Sequence, residues 1–115
     1  MIFVFGSNLA GRHGKGAALT AKQDFGAKYG VGIGRTGDAY AIPTKGYRLE
    51  VLPLYIIKQH IDSFVRYAYE HPELEFFVTR IGCGLAGYKD DEIGPMFKDC
   101  PSNCKLPKEW NETNS

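Results

Sequence analysis

The stretch Ile2-Phe3-Val4-Phe5-Gly6-Ser7-Asn8-Leu9-Ala10-Gly11-Arg12-His13-Gly14-Lys15-Gly16 decides how this chain reads. Its first four residues are apolar with no polar alternation, the pattern of a strand covered on both faces. Glycines follow, and a helical pattern begins at Gly16. A strand that ends in glycines before a helix leaves backbone N–H groups unpaired, and the helix dipole adds partial positive charge at the same place. The arrangement recurs near the other end: the run Phe76 to Ile81 leads into Gly82-Cys83-Gly84-Leu85-Ala86-Gly87-Tyr88. Two such turns in a chain of 115 residues imply one phosphate-bearing ligand clamped from both sides.

Outward from the first turn, the spacing predicts a helix from about Gly16 to Tyr29. Ala17, Ala18, Ala21 and Phe25 mark its inner face, and Gly30 stands as its left-handed terminator. Gly30 to Asp38 holds four glycines and reads as a loop. Ala39 to Thr44 reads as a strand, with Pro43 placing it near a sheet edge or at the strand end. Pro53 opens the strongest helix. Ile57, Ile61, Phe64, Val65 and Ala68 recur on its inner face, Lys58, Gln59, Asp62, Arg66 and Glu70 face water, and His71-Pro72 stops it. Leu74 to Ile81 is the next strand. A short helix from about Asp90 to Phe97 turns Ile93, Met96 and Phe97 inward, and Cys104 to Leu106 adds an edge strand. Strands alternating with helices imply a three-layer α/β domain over residues 1–110, with 111–115 as a polar tail.

A chain of this length has room for one core. The formal net charge of +1 gives no global case for nucleic acid or an anionic membrane surface, so any anion site is local. Cys83, Cys100 and Cys104 cannot all pair internally, and none lies at zinc-ligand spacing. Reduced thiols in a cytoplasmic protein are the expectation, with no metal and no cofactor. The first apolar run is short and lacks a basic leader, unlike a signal peptide, and no stretch approaches the ~20 apolar residues that span a bilayer.

The first turn nearly fits a Walker A loop, but Arg12-His13 stands where Lys-Ser/Thr is required. The hydroxyl that would hold magnesium is missing, which argues against a nucleoside triphosphatase. What survives is Gly14-Lys15-Gly16 entering a helix beside an anion, with Arg12 and Lys15 as charges, or else a tight turn whose glycines only permit positive φ. Asn8 stands at the carboxyl end of the strand, where its amide either bonds a ribose hydroxyl or caps its own turn; the residues alone favour the cap. Lys22 reads alone as a solvated helix lysine, and His13 as an exposed loop histidine. The second turn presents backbone rather than side chains, a nest for phosphate oxygens. Tyr88 either stacks on a ligand ring or is an ordinary core or surface tyrosine. Cys83 reads as a small buried thiol rather than a nucleophile, since no base is placed by spacing.

Two segments carry a family resemblance. Gly14-Lys15-Gly16-Ala17-Ala18-Leu19-Thr20-Ala21-Lys22-Gln23-Asp24-Phe25-Gly26 resembles the Gly-x-Gly-Ile-Ala-x-x-Phe-Lys-x-x-Phe-Gly/Pro signature of macrodomains. Arg80-Ile81-Gly82-Cys83-Gly84-Leu85 resembles the same family's second loop, and Tyr40 to Lys45 a strand that ends in Thr-Lys. The resemblance covers about residues 2–106. It is nearest to the branch of terminal ADP-ribose hydrolases and of antitoxins that reverse DNA ADP-ribosylation, and to short proteins of bacteriophage and bacterial genomes.

The resemblance implies an α/β/α macrodomain-like sandwich with a mixed, mostly parallel sheet, lacking the N-terminal strand of larger macrodomains and the acidic residue there that reads adenine. It implies ADP-ribose or a related nucleotide between the two turns, held by Ser7, Asn8, Gly14, Lys15, Gly16, Ala17, Thr44, Gly82, Cys83, Gly84, Leu85, Ala86, Gly87 and Tyr88. Lys22 falls on the lysine that attacks the distal ribose. Ala86 stands where that branch's hydrolases carry an acid, and Lys15 where another hydrolase branch carries an aspartate. Binding is therefore the first expectation. Removal of ADP-ribose from protein, DNA or an acyl group by way of Lys22 is the second. A factor that sequesters a nucleotide signal or binds a host protein is the third.

Overall fold

The computed structural model describes residues 1–113. Five strands, β1 (Ile2–Asn8), β2 (Gly34–Thr36), β3 (Ala39–Lys45), β4 (Phe76–Val78) and β5 (Cys104–Lys105), form one sheet in the order β2-β3-β1-β4-β5. β1 pairs parallel with β3 and β4, β5 runs parallel to β4, and only β2 is antiparallel. The helices are α1 (Gly16–Asp24), α2 (Leu54–Glu70), α3 (Asp90–Ile93), which runs into a 3-10 turn over Gly94–Phe97, and α4 (Lys108–Thr113). The result is a three-layer α/β/α sandwich on a mixed, mostly parallel sheet, as the alternation of elements predicts.

The unbroken apolar run of β1 has a direct cause, because successive side chains enter different cores. Ile2 and Val4 join Ile42, Ile57, Ile61, Phe64, Phe76, Phe97 and Trp110. Phe3 and Phe5 join Ala18, Ala21, Ala27, Ala39 and Ala41 under α1. The stripe Ile57, Ile61, Phe64 and Ala68 buries α2, while Val65 is only half-buried.

Several boundaries differ from the sequence reading. α1 ends at Asp24, not Tyr29. Its terminator is Gly26 (φ +75°), across which the Phe25 and Ala27 N–H groups both bond the Ala21 carbonyl. Phe25 then stacks on Phe3 with ring centroids 4.5 Å apart. The expected loop after it contains β2, built from cross-strand pairing of Gly34–Thr36 with Ala39–Ala41. β3 lies inside the sheet rather than at an edge. Pro43 is tolerated because β2 stops pairing at Ala41 and Pro43 faces Ser7 at a register shift in β1. β4 shrinks to three residues, since Thr79 turns both its N–H and its hydroxyl onto the Val4 carbonyl. The expected polar tail over 111–115 begins inside α4, whose Trp110 is fully buried and stacked on Phe97 at 4.9 Å. Positions 114 and 115 lie outside the described residues.

β3 and β4 flank β1 on opposite sides, and all three run the same way. Their carboxyl ends therefore open on one edge, at the point where the chain leaves β1 in one direction and later returns on the other. α/β sheets hold ligands in such a crevice.

Candidate functional site

A cleft of about 840 Å³ occupies that crevice. It is walled by Gly6, Ser7, Asn8, Arg12 and Gly14 to Ala18 from the first turn, Thr44, Lys45 and Leu49 from the end of β3, and Thr79 to Ala86 from the second turn, with Tyr29 completing it. Twelve of the fifteen positions named from sequence thus meet in one cavity: Ser7, Asn8, Gly14, Lys15, Gly16, Ala17, Thr44, Gly82, Cys83, Gly84, Leu85 and Ala86.

The other three stand elsewhere. Tyr88 donates its hydroxyl to the Leu52 carbonyl at 2.6 Å, which ties the second loop to the segment ahead of α2. Gly87 (φ +83°) turns the chain toward it and also lies off the cleft wall. Lys22 projects from the exposed side of α1, its Nζ 5.2 Å from the centroid of the Tyr29 ring. Tyr29 lines the cleft and Lys22 does not.

The side chains at the floor hold the loops. The Asn8 amide donates to the Arg12 carbonyl and accepts from the Arg12 N–H, both at 2.9 Å, so it caps the turn that follows β1. The Ser7 hydroxyl donates to the Gly32 carbonyl and the Thr44 hydroxyl to the Ser7 carbonyl. Gly11 (φ +70°) lets the turn pass against Gly30: a Cβ there would stand 2.2 Å from the Gly30 carbonyl carbon.

Gly14 and Gly84 are different. Neither has a positive φ, and a Cβ on either would meet no heavy atom within 4 Å. Folding gives no reason for glycine at these positions. Both line the cleft, where the absence of a side chain leaves backbone open to an occupant.

Among the described residues, the charged side chains lining the cleft are Arg12, Lys15, Lys45 and Arg80, with no Asp or Glu. Arg80 is already engaged. Its Nε and Nη2 donate to the two carboxylate oxygens of Asp90 at 3.1 and 2.6 Å, and its Nη1 lies 3.8 Å from Glu109. The Trp110 indole N–H donates to Asp90 at 2.8 Å. The Arg80 hydrogen bonds hold the Asp90 carboxyl below the usual carboxylate range. Asp90 is therefore committed to this network rather than free to act in the cleft. Burial, with the Asp90 charge adding to it, pushes the Cys83 thiol up to about 11, so it is a protonated wall residue and not a nucleophile.

His13 is a correction. It is fully buried, edge-on to Phe5 (5.3 Å between centroids) and to Tyr29 (6.1 Å), and neither ring nitrogen makes a hydrogen bond of good geometry. Desolvation lowers its pKa, with Lys22 adding to the effect and the Val31 backbone opposing it. Its ring wedges beneath the loop that carries Arg12 and Lys15. Sequence reasoning also left out Lys45, Leu49 and Tyr29 as wall residues. Lys45 had a signal, since it ends the strand beside β1; Leu49 and Tyr29 reach the cleft through loop geometry that no periodicity encodes. Among the described residues no group of His, Cys, Asp and Glu gathers as a metal site, and no helix is long and apolar enough to cross a membrane.

No protein-family model matches the chain, and no curated protein or solved structure matches it either.

Proposed function

We propose that this protein binds ADP-ribose, or a related nucleotide carrying a diphosphate, in the cleft between its two glycine turns. The observation that carries the reading is the composition of the wall: glycine backbone and the cations Arg12, Lys15 and Lys45, with no carboxylate among the described residues. Backbone N–H groups at the start of α1 and in the second turn supply donors that need no side chain. The three cations make no ion pair among the described residues, which leaves their charge for an anion. The macrodomain resemblance supports the same ligand class.

Binding is preferred to hydrolysis because no group in the cleft is poised to attack or to transfer a proton. Cys83 is protonated, Asp90 is held by Arg80, and Lys22 lies outside the wall. Calorimetry with ADP-ribose tests the assignment. Saturable heat at micromolar protein is expected, and no heat with ADP-ribose or any nucleoside diphosphate sinks it. Release of free ADP-ribose from a modified protein or DNA, abolished by Lys22→Ala, would instead establish the hydrolase reading.

A further inference from the structure

Two leucines line the cleft while standing in water: Leu49 is 44% exposed and Leu85 69%. Folding accounts for neither. Leu49 has φ +64° and is the only non-glycine residue with positive φ among those described. That left-handed conformation costs a branched side chain free energy and is commonly filled by glycine or asparagine. The turn around it is well tied. The Gly46 N–H bonds the Glu50 carbonyl at 2.8 Å, the Leu49 N–H bonds the Gly46 carbonyl at 3.1 Å, and the Arg48 N–H bonds the Glu50 carboxylate at 3.0 Å. A leucine is thus held in a strained backbone position and gains little burial from it. Leu85 comes from the loop after β4, and β3 and β4 flank β1 on opposite sides, so the two leucines belong to opposite walls. Tyr29, also exposed, adds a flat ring.

Four neutral polar side chains of the wall are meanwhile occupied. The hydroxyls of Ser7, Thr44 and Thr79 and the amide of Asn8 each donate to a backbone carbonyl: those of Gly32, Ser7, Val4 and Arg12 respectively. Among the described residues no carboxylate lines the cleft. The cleft therefore offers charge and backbone to a phosphate and apolar surface to whatever lies beyond, with little to read the hydrogen-bonding edge of a base.

We propose that Leu49 and Leu85 form an apolar clamp for the heterocycle of the bound nucleotide, and that the protein accepts nucleoside diphosphates without choosing among bases. The inference rests on the nucleotide reading of the cleft. Every base has an apolar face, so contact with that face is nearly indifferent to base identity. A site that hydrogen-bonds the edge discriminates by orders of magnitude instead.

Calorimetry on the full chain with ADP, GDP, UDP, CDP and inorganic pyrophosphate, for the parent, Leu49→Gly and Leu85→Ser, tests it. The four nucleotides are expected to bind within about fivefold of one another and roughly tenfold tighter than pyrophosphate. Each variant weakens all four by about fivefold or more and leaves pyrophosphate unchanged. Leu49→Gly should melt no lower than the parent, because glycine accepts the positive φ. A hundredfold preference for one base overturns the clamp, as do variants that bind nucleotides like the parent while pyrophosphate still binds. Failure of ADP-ribose together with all five probes refutes the nucleotide reading, whereas heat with ADP-ribose alone overturns only the indifference to base.

Discussion

Gly84→Ala separates a glycine kept for folding from one kept for a ligand. A Cβ at position 84 meets nothing within 4 Å, and the residue does not need a positive φ. The methyl group therefore restricts the unfolded chain at no steric cost, which stabilises the fold by about 0.4–1 kcal/mol. In a domain of this size that is a rise of roughly 2–5 °C in melting temperature. Binding should move the other way. A phosphate approaching the backbone of the second turn loses contact with it when a side chain intervenes. One charge-assisted hydrogen bond is worth about 1.5–3 kcal/mol, or tenfold to a hundredfold in affinity. Gly14→Ala should behave the same way. Gly11→Ala is the contrast: a Cβ there stands 2.2 Å from backbone at a left-handed position, so the fold itself should weaken. Circular-dichroism melts and calorimetry with ADP-ribose on the same samples read both quantities. If Gly14→Ala and Gly84→Ala bind as the parent does, or melt well below it, the argument that these glycines serve a ligand is wrong.

Trp110→Ala should cost about 3–5 kcal/mol in urea unfolding, since it removes a fully buried ring stacked on Phe97 together with a hydrogen bond to Asp90. His13 gives a pH dependence with a defined sign. Its folded pKa is depressed, so the unfolded chain takes up a proton first and stability falls as pH drops below about 6.5. His60 shifts in the same direction, so the comparison is urea melts from pH 7.5 to 5 for the parent against His13→Phe; equal slopes would remove His13 from the account. Cys83 should alkylate with iodoacetamide about a hundredfold more slowly at pH 7.5 than an ordinary thiol, because its pKa is raised from 9.0 to about 11. Peptide mass spectrometry of the labelled protein reads that rate.

The elements legible in the sequence were those whose pattern has one cause. β1 reads correctly because both faces are covered, and α2 because its stripe Ile57-Ile61-Phe64 has a helical period. The two glycine turns meet at one cleft because chain direction brings the ends of β1 and β4 to the same edge. What escaped depends on partners distant in sequence. β2 has little strand character of its own and forms by pairing with β3. His13 is buried only because the loop after β1 folds back over Phe5, close to the Gly30 turn, and nothing beside residue 13 announces that. Lys22 was legible: read from the residues alone it is a solvated helix lysine, and it is exposed. It directly follows the buried Ala21, and a step of one residue carries a helical side chain about 100° round the axis, onto the solvent side.

The two cores on either face of β1 are unequal, and each turn of the cleft is seated on a different one. α1, which follows the first turn, rests on alanines with Phe3 and Phe5, whereas the second turn is backed by Ile81 within the larger group of aromatic and branched side chains. Little apolar area holds α1 down, and regions of that kind open ahead of the whole molecule. Amide hydrogens of residues 16–24 should then exchange with deuterium at lower opening energies than those of α2. A ligand bound across both turns would close that gap, and the side of the entrance formed by α1 is the one expected to open first.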